Sequence, residues 1–86
     1  MFEWDETKSL ECSGRRGFSF DIVHEFDWET AVIAEDTRQD YGERRFRAFG
    51  MVDGAYFCVA FTPRAGRLRI ISVRRMHGKE AKRYGL

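Results

Sequence analysis

The sequence predicts an α+β fold in which helices pack on one antiparallel β-sheet. Two observations carry the prediction. Apolar residues recur at helical spacing near residue 20, whereas apolar runs of strand length predominate after residue 30. Asp53-Gly54 lies between two such runs, which is a strong signal for a two-residue hairpin loop. With 86 residues, 43% of them hydrophobic, the chain is expected to form a single domain over residues 1–86 whose core needs neither a disulfide nor a metal.

The first elements are a short strand and a helix. Phe2 and Trp4 flank a charged residue, so a strand is predicted over residues 1–4. Asp5 has the side chain of a helix N-cap, and the helix is predicted to reach about Cys12. The two glycines at the ends of residues 14–17 predict a turn there.

A second helix and a short strand follow. Ser19 is the predicted cap of the helix, on which three apolar residues recur at helical spacing: Phe20, Val23 and Phe26. Residues 31–34 are predicted to form a strand, and the polar residues 35–42 a loop.

The Asp53-Gly54 hairpin predicts which residues share a face. Residues 44–52 and 55–62 form its strands, and residues opposite one another have numbers with a constant sum. One face, termed the core face, consists of Phe46, Ala48, Gly50, Val52, Ala55, Phe57, Val59 and Phe61. The other carries Arg45, Arg47, Phe49, Met51, Tyr56, Cys58, Ala60 and Thr62. That second face is expected either to be covered by a late helix or to bind another molecule.

The last third contains a turn at residues 63–66, an arginine-rich strand and a helix ending near Tyr84. Five arginines lie in or beside the strand: Arg64, Arg67, Arg69, Arg74 and Arg75. Arginine presents a rigid fork of donors that suits phosphate, so the strand is interpreted as part of a phosphate-binding face. The alternative is a solvated strand whose arginines pair with acidic residues of the first half.

Charge is distributed unevenly along the chain. Residues 1–43 carry twelve acids against four bases, and residues 44–86 carry eleven bases against two acids. A basic half favours a polyanionic ligand, part of which the acidic half could mask. Two cysteines form no metal motif, and no apolar run is long enough for a membrane span, so the cytoplasm is the predicted compartment.

The available side chains favour one type of chemistry. The sequence contains no phosphate-binding glycine loop, no zinc spacing and no serine–histidine–acid arrangement, and no cofactor is expected. Arginines could stabilise the charge that develops when an RNA 2′-hydroxyl attacks a phosphodiester. Arginine is a poor proton donor because its pKa stays above about 12. Glu43 and the tyrosines Tyr41, Tyr56 and Tyr84 are therefore the candidates for proton transfer.

Several motifs, in order along nearly the whole chain, resemble the BrnT family of type II toxin–antitoxin systems. They are FEWDETK at 2–8, GFSF at 17–20, YGERRF at 41–46, FTPR at 61–64 and RIISVRR at 69–75, followed by Glu80 and Tyr84. The resemblance implies a RelE-like fold, a ribonuclease activity that halts translation, and an antitoxin, BrnA, encoded beside the toxin. It also implies that DNA is contacted only through the antitoxin, whose complex with the toxin represses the operon.

The sequence departs from the family at residues 15–16, where members usually have Lys-His and this chain has Arg-Arg. It also has Cys12 where members have Asn, and Asp27-Trp28 where they have Asp-Pro. If the family histidine transfers protons, Arg16 cannot replace it in that role, although it can bind phosphate. Two functions stay open: a metal-independent endoribonuclease toxin, and a non-catalytic binding module or corepressor subunit.

The site hypothesis names ten residues. The predicted catalytic residues are Glu43, Arg45, Arg64, Ser72 and Arg74, and the predicted RNA-binding residues are Arg15, Arg16, Arg69, Arg75 and Lys79. Arg64 and Arg74 are expected to converge at one end of the sheet. Arg69 is expected to alternate with Ile71 and Val73 on a packed face.

Overall fold

Five strands form one mixed sheet in the order β1-β5-β4-β3-β2. The computed structural model describes residues 1–86. Its elements are β1 (Phe2–Trp4), α1 (Glu6–Arg16), a 3₁₀ helix (Phe20–His24), β2 (Val32–Glu35), β3 (Phe46–Val52), β4 (Ala55–Arg64), β5 (Arg67–Arg75) and α2 (Gly78–Arg83). The α+β prediction is confirmed.

The sheet is mixed because its first strand is parallel to its last one. Phe2 pairs with Leu68 and Trp4 with Ile70, whereas the other three strand pairs are antiparallel. The prediction of one antiparallel sheet is therefore wrong at this edge. The pairing joins residues far apart in sequence, and local sequence patterns carry no signal for it.

Helix α1 is longer than predicted. The Asp5 carboxylate accepts hydrogen bonds from the backbone N–H groups of Thr7 and Lys8, which confirms it as the N-cap. The helix continues to Arg16 and ends at Gly17, whose φ of 84° is left-handed. The predicted end at Cys12 is wrong, since Gly14 lies inside the helix at a cost of about 1 kcal/mol relative to alanine.

The predicted second helix is a short 3₁₀ helix that ends at His24, so Phe26 lies beyond it. The Ser19 hydroxyl donates to the Asp21 carboxylate and does not cap the helix. Phe20 and Val23 are buried, as their spacing predicted, and the Trp28 indole donates to the carbonyl oxygen of Val23 at 3.0 Å.

The hairpin register is confirmed at every pair from Phe46 opposite Phe61 to Val52 opposite Ala55. Asp53 and Gly54 have φ values of 50° and 79°, the left-handed conformation that such a loop needs. The core face packs under α1 and the 3₁₀ helix. Cys12 of α1 and Phe20 and Val23 of the 3₁₀ helix are buried in the same hydrophobic cluster as the core face.

The opposite face is covered at one end by α2, which confirms one of the two expectations for it. Phe49, which is fully buried, and Cys58 form a second cluster with Met76 and Ala81. The rings of Phe49 and Tyr84 stack with centroids 3.7 Å apart at an angle of 9°. The rest of this face carries no helix.

A bulge at Ile71 interrupts the pairing of β5 with β4. Ser72 pairs with Ala60 and Ile70 with Phe61, so Ile71 has no partner residue. The extra residue changes the alternation of side chains along the strand. Arg69 therefore shares a face with Ser72, and the prediction that it shares a packed face with Ile71 and Val73 is wrong.

Two glycines offer a matched test of the packing. A Cβ added at Gly50 would lie 2.7 Å from the ring of Phe26, in the packed core. We expect Gly50→Ala to lower the free energy of unfolding by about 1–3 kcal/mol, because the buried Phe26 ring must shift to admit the methyl group. Gly14→Ala, which meets nothing within 4 Å in a helix, is expected to raise it by up to about 1 kcal/mol. Urea denaturation measures both, and a loss at position 14 equal to that at position 50 would contradict the packing argument.

Candidate active site

The strand register gathers six arginines on the sheet face opposite the core face. Here it is termed the arginine face, and its arginines are Arg45, Arg47, Arg64, Arg67, Arg69 and Arg74. The hairpin places the first two on this face. Because of the bulge at Ile71, the arginines at both ends of β5 lie on this face: Arg69 is opposite Thr62 and Arg74 is opposite Cys58. One surface thus collects arginines from three consecutive strands and the residue before β3.

The centre of the arginine face has small side chains. Arg47, Ala60 and Ser72 form a row across β3, β4 and β5, with neighbouring strands about 4.8 Å apart. Arg69 and Arg74 lie on β5 on either side of Ser72. The Ser72 side chain is exposed and Ala60 is half-buried, so the floor between these arginines is shallow and open.

Glu43, Arg45 and Arg64 form a cluster at one margin of this face. The Glu43 carboxylate accepts hydrogen bonds of 3.2 Å from both arginines. Desolvation alone would raise the pKa of the Glu43 carboxyl, but these hydrogen bonds hold it below its usual value. A lowered pKa makes Glu43 a weaker base and favours a role in orienting the two guanidinium groups.

Two arginines of β5 also have acidic partners. Arg69 donates to Glu3 on β1 at 2.9 Å. Arg74 donates two hydrogen bonds to Glu80 on α2, at 2.9 and 2.6 Å, which raise the pKa of Arg74 and lower that of Glu80. The sequence left open that these arginines pair with acidic residues of the first half of the chain. Arg64 and Arg69 do so, whereas Arg67, Arg74 and Arg75 do not.

Arg47 is the arginine that sequence reasoning placed on the right face but did not assign to the site. Its guanidinium lies 5.3 Å from the centre of the Phe49 ring and 6.0 Å from that of Tyr84. Its Nε is buried and has no hydrogen-bond partner. Unlike the four arginines paired above, Arg47 forms no ion pair, so it retains donors for a ligand. Its place beside Ala60 in the hairpin register was the signal that could have identified it.

Arg64 and Arg74 do not converge, contrary to the prediction. Arg64 lies opposite Arg67, whereas Arg74 lies opposite Cys58. In an antiparallel pair the end of one strand meets the start of the next, so the two arginines lie about 20 Å apart along the sheet. They share a face but not an end of it.

Arg15 and Arg16 lie in the last turn of α1, beyond the β5 edge. Arg16 donates to the carbonyl oxygen of Val73 at 2.7 Å. Both arginines line a cleft of about 230 Å³ that also reaches Ser72. The same cleft is lined by Lys8 and Glu11, which sequence reasoning did not name.

The remaining predicted residues lie near the end of β5 that leads into α2. Arg75 is opposite Phe57 and lines a groove with Arg16 and Arg74. Lys79 is exposed in the first turn of α2. The ten predicted residues thus lie in three places: the arginine face, the α1 cleft and the α2 end.

Three further observations concern the rest of the chain. Neither helix has the length and apolar composition that crossing a membrane requires. No group of three or more His, Cys, Asp or Glu side chains is arranged to hold a metal ion. Cys12 and Cys58 are buried free thiols, and burial raises the pKa of both.

Comparison with known proteins identifies the family. No curated protein matches the chain. The sequence model of the ribonuclease toxin BrnT, of type II toxin–antitoxin systems, matches residues 4–80, which include α1, all six arginines of the arginine face and Glu80. The family implies a ribonuclease role, an RNA substrate and an antitoxin partner. The chain belongs to the BrnT family of ribonuclease toxins.

Proposed function

We propose that this chain is a metal-independent endoribonuclease that inhibits translation and binds RNA on the uncovered half of the arginine face. The observation that carries the proposal is the row of Arg47, Ala60 and Ser72 with Arg69 and Arg74 beside it. Guanidinium groups around a floor of small side chains suit a phosphodiester, because they can donate to its oxygens from several sides.

The proposed reaction is attack of an RNA 2′-hydroxyl on the adjacent phosphorus. The 2′-oxygen forms a bond to phosphorus, and the bond from phosphorus to the 5′-oxygen breaks. A base takes the 2′-hydroxyl proton and an acid gives a proton to the leaving oxygen, so the products are a 2′,3′-cyclic phosphate and a 5′-hydroxyl. Arg47, Arg69 and Arg74 stabilise the charge on the phosphorane, while the Ser72 hydroxyl bonds a phosphate oxygen.

Tyr84 is the proposed proton-transfer group. Its ring is 6.0 Å from the Arg47 guanidinium and stacks on Phe49, so it lies over the sheet face that carries Arg47 and Arg74. Glu43 is a weaker candidate for proton transfer than Tyr84, because it lies at the margin of the arginine face and its pKa is lowered. Arg45 and Arg64 are proposed to hold a neighbouring phosphate of the substrate, with Glu43 orienting them.

The other residues of the site hypothesis are proposed to extend the RNA path. Arg15, Arg16, Arg75 and Lys79 surround the end of the arginine face that leads to α1 and α2. We further propose that the single domain is RelE-like, acts in the cytoplasm, and is neutralised by a BrnA-like antitoxin through which alone it contacts DNA. The type II toxin–antitoxin family supports an antitoxin partner, and the α+β sheet supports the comparison with RelE.

Incubation of the purified chain with RNA in the presence of EDTA tests the proposal. We expect cleavage at the same rate with and without the chelator, 5′-hydroxyl and cyclic phosphate ends, and loss of cleavage when the antitoxin is added. Activity that disappears with EDTA and returns with a divalent metal would contradict metal independence. Intact RNA together with antitoxin binding would point to the non-catalytic binding module.

A further inference from the structure

Strand β2 is an unpaired edge of the sheet. It pairs with β3 on one side, and no strand lies on its other side. All four of its residues are exposed, and two of them are apolar, with Val32 37% and Ile33 51% exposed. Natural proteins usually protect such edges, because the free backbone groups are a template for another strand.

The backbone of β2 shows which groups are free. The N–H of Asp36 donates to the Arg45 carbonyl oxygen on β3 at 2.7 Å. In an antiparallel pair these groups alternate, so Ala34 also points toward β3 while Ile33 and Glu35 point away from it. The N–H and C=O groups of Ile33 and Glu35 are therefore available to one further strand.

The charge near this edge selects the partner. Residues 25–44 carry seven acids against two bases, and Glu25, Asp27 and Glu29 are exposed, whereas Glu35 pairs with Arg44. RNA would be repelled here, whereas an extended peptide with basic residues would be attracted. Addition of a strand to a sheet edge is a known mode of peptide recognition, in which backbone hydrogen bonds supply affinity and side chains supply specificity.

We propose that β2 is the docking edge for an extended, basic segment of the antitoxin, which adds to the sheet as a sixth strand. Apolar residues of that segment contact Val32 and Ile33, and a basic residue contacts Glu29. Because Ala34 pairs with Arg47, a strand at this edge lies close to the arginine face. The remainder of the antitoxin is thereby held where it can cover the RNA-binding surface.

Amide hydrogen exchange on the ¹⁵N-labelled chain, with and without the purified antitoxin, tests the proposal. We expect exchange at Ile33 and Glu35 to slow at least 10-fold in the saturated complex. Ala34 and Asp36, whose N–H groups already point to β3, serve as internal controls that exchange slowly in both states. Unchanged exchange at Ile33 and Glu35 in the saturated complex would overturn the proposal.

A pair of substitutions gives an independent readout. Ile33→Lys places a positive charge where the basic segment of the antitoxin would dock. It is expected to weaken antitoxin binding at least 10-fold and to leave RNA cleavage by the free toxin unchanged. Leu10→Lys, at an apolar residue 65% exposed on α1, is the matched control and should bind as the wild type does. Equal affinities for the two variants would contradict the docking edge. The inference rests on the family's antitoxin, so failure of the wild-type chain to cleave RNA would count against the proposed function alone.

Discussion

Replacing Arg74 with alanine is expected to lower the rate of RNA cleavage by about 100- to 1,000-fold, the loss typical of removing one donor from a charged transition state. Arg74 lies beside Ser72 at the centre of the proposed site, and Glu80 fixes its guanidinium by two hydrogen bonds. Single-turnover cleavage of a short RNA, with the toxin in excess, measures the chemical step.

Two controls separate the charge of Arg74 from its structural contacts. Glu80→Gln breaks the ion pair with α2 but keeps the arginine, so cleavage should fall far less than in Arg74→Ala. Arg83→Ala removes an arginine of α2 that forms no ion pair and should cleave as the wild type does. Equal losses in Arg74→Ala and Glu80→Gln would show that Arg74 acts by holding α2 and not by binding RNA.

Phe49→Ala is expected to lower the free energy of unfolding by about 3–5 kcal/mol. The side chain is fully buried between the sheet and α2, and it stacks on Tyr84. Its removal leaves a cavity under a helix of six residues that cannot be stable without this packing. Since small domains have a total stability of about 5–15 kcal/mol, the variant should be close to unfolding.

Urea denaturation of the purified variant measures this effect. Leu10→Ala is the control, because truncation of an exposed leucine should change stability by no more than about 0.5 kcal/mol. A loss below about 1 kcal/mol for Phe49→Ala would mean that α2 does not depend on this cluster. The same variant should also lose RNA cleavage, since Tyr84 is the proposed proton-transfer group.

The accuracy of sequence reasoning differed between local and distant features. The hairpin register was predicted correctly because the Asp53-Gly54 loop determines it and seven apolar side chains on the core face agree with it. The parallel pairing of β1 was missed because its partners are residues 68–70, and no periodicity reports contacts at that separation. The end of α1 was missed because Gly14 resembles a turn signal although it faces open space.

Prediction of the site was limited by the bulge and by strand direction. Nothing in the residues around Ile71 signals an unpaired position, so strict alternation placed Arg69 on the wrong face. The expected convergence of Arg64 and Arg74 failed because β4 and β5 run in opposite directions. Arg47 could have been assigned from the register alone, but its unpaired Nε and its contacts with Phe49 and Tyr84 depend on α2, whose position was not predictable.

The parallel pairing of β1 with β5 has a consequence for how the protein is made. The first strand of the chain finds its partner only after residue 70 has been synthesised, and the Glu3–Arg69 ion pair forms across the same gap. Contacts between residues so distant in sequence are costly in chain entropy and form late in folding. An incomplete nascent chain therefore lacks both the complete sheet and the arginines of its last strand, and should be unable to cleave RNA.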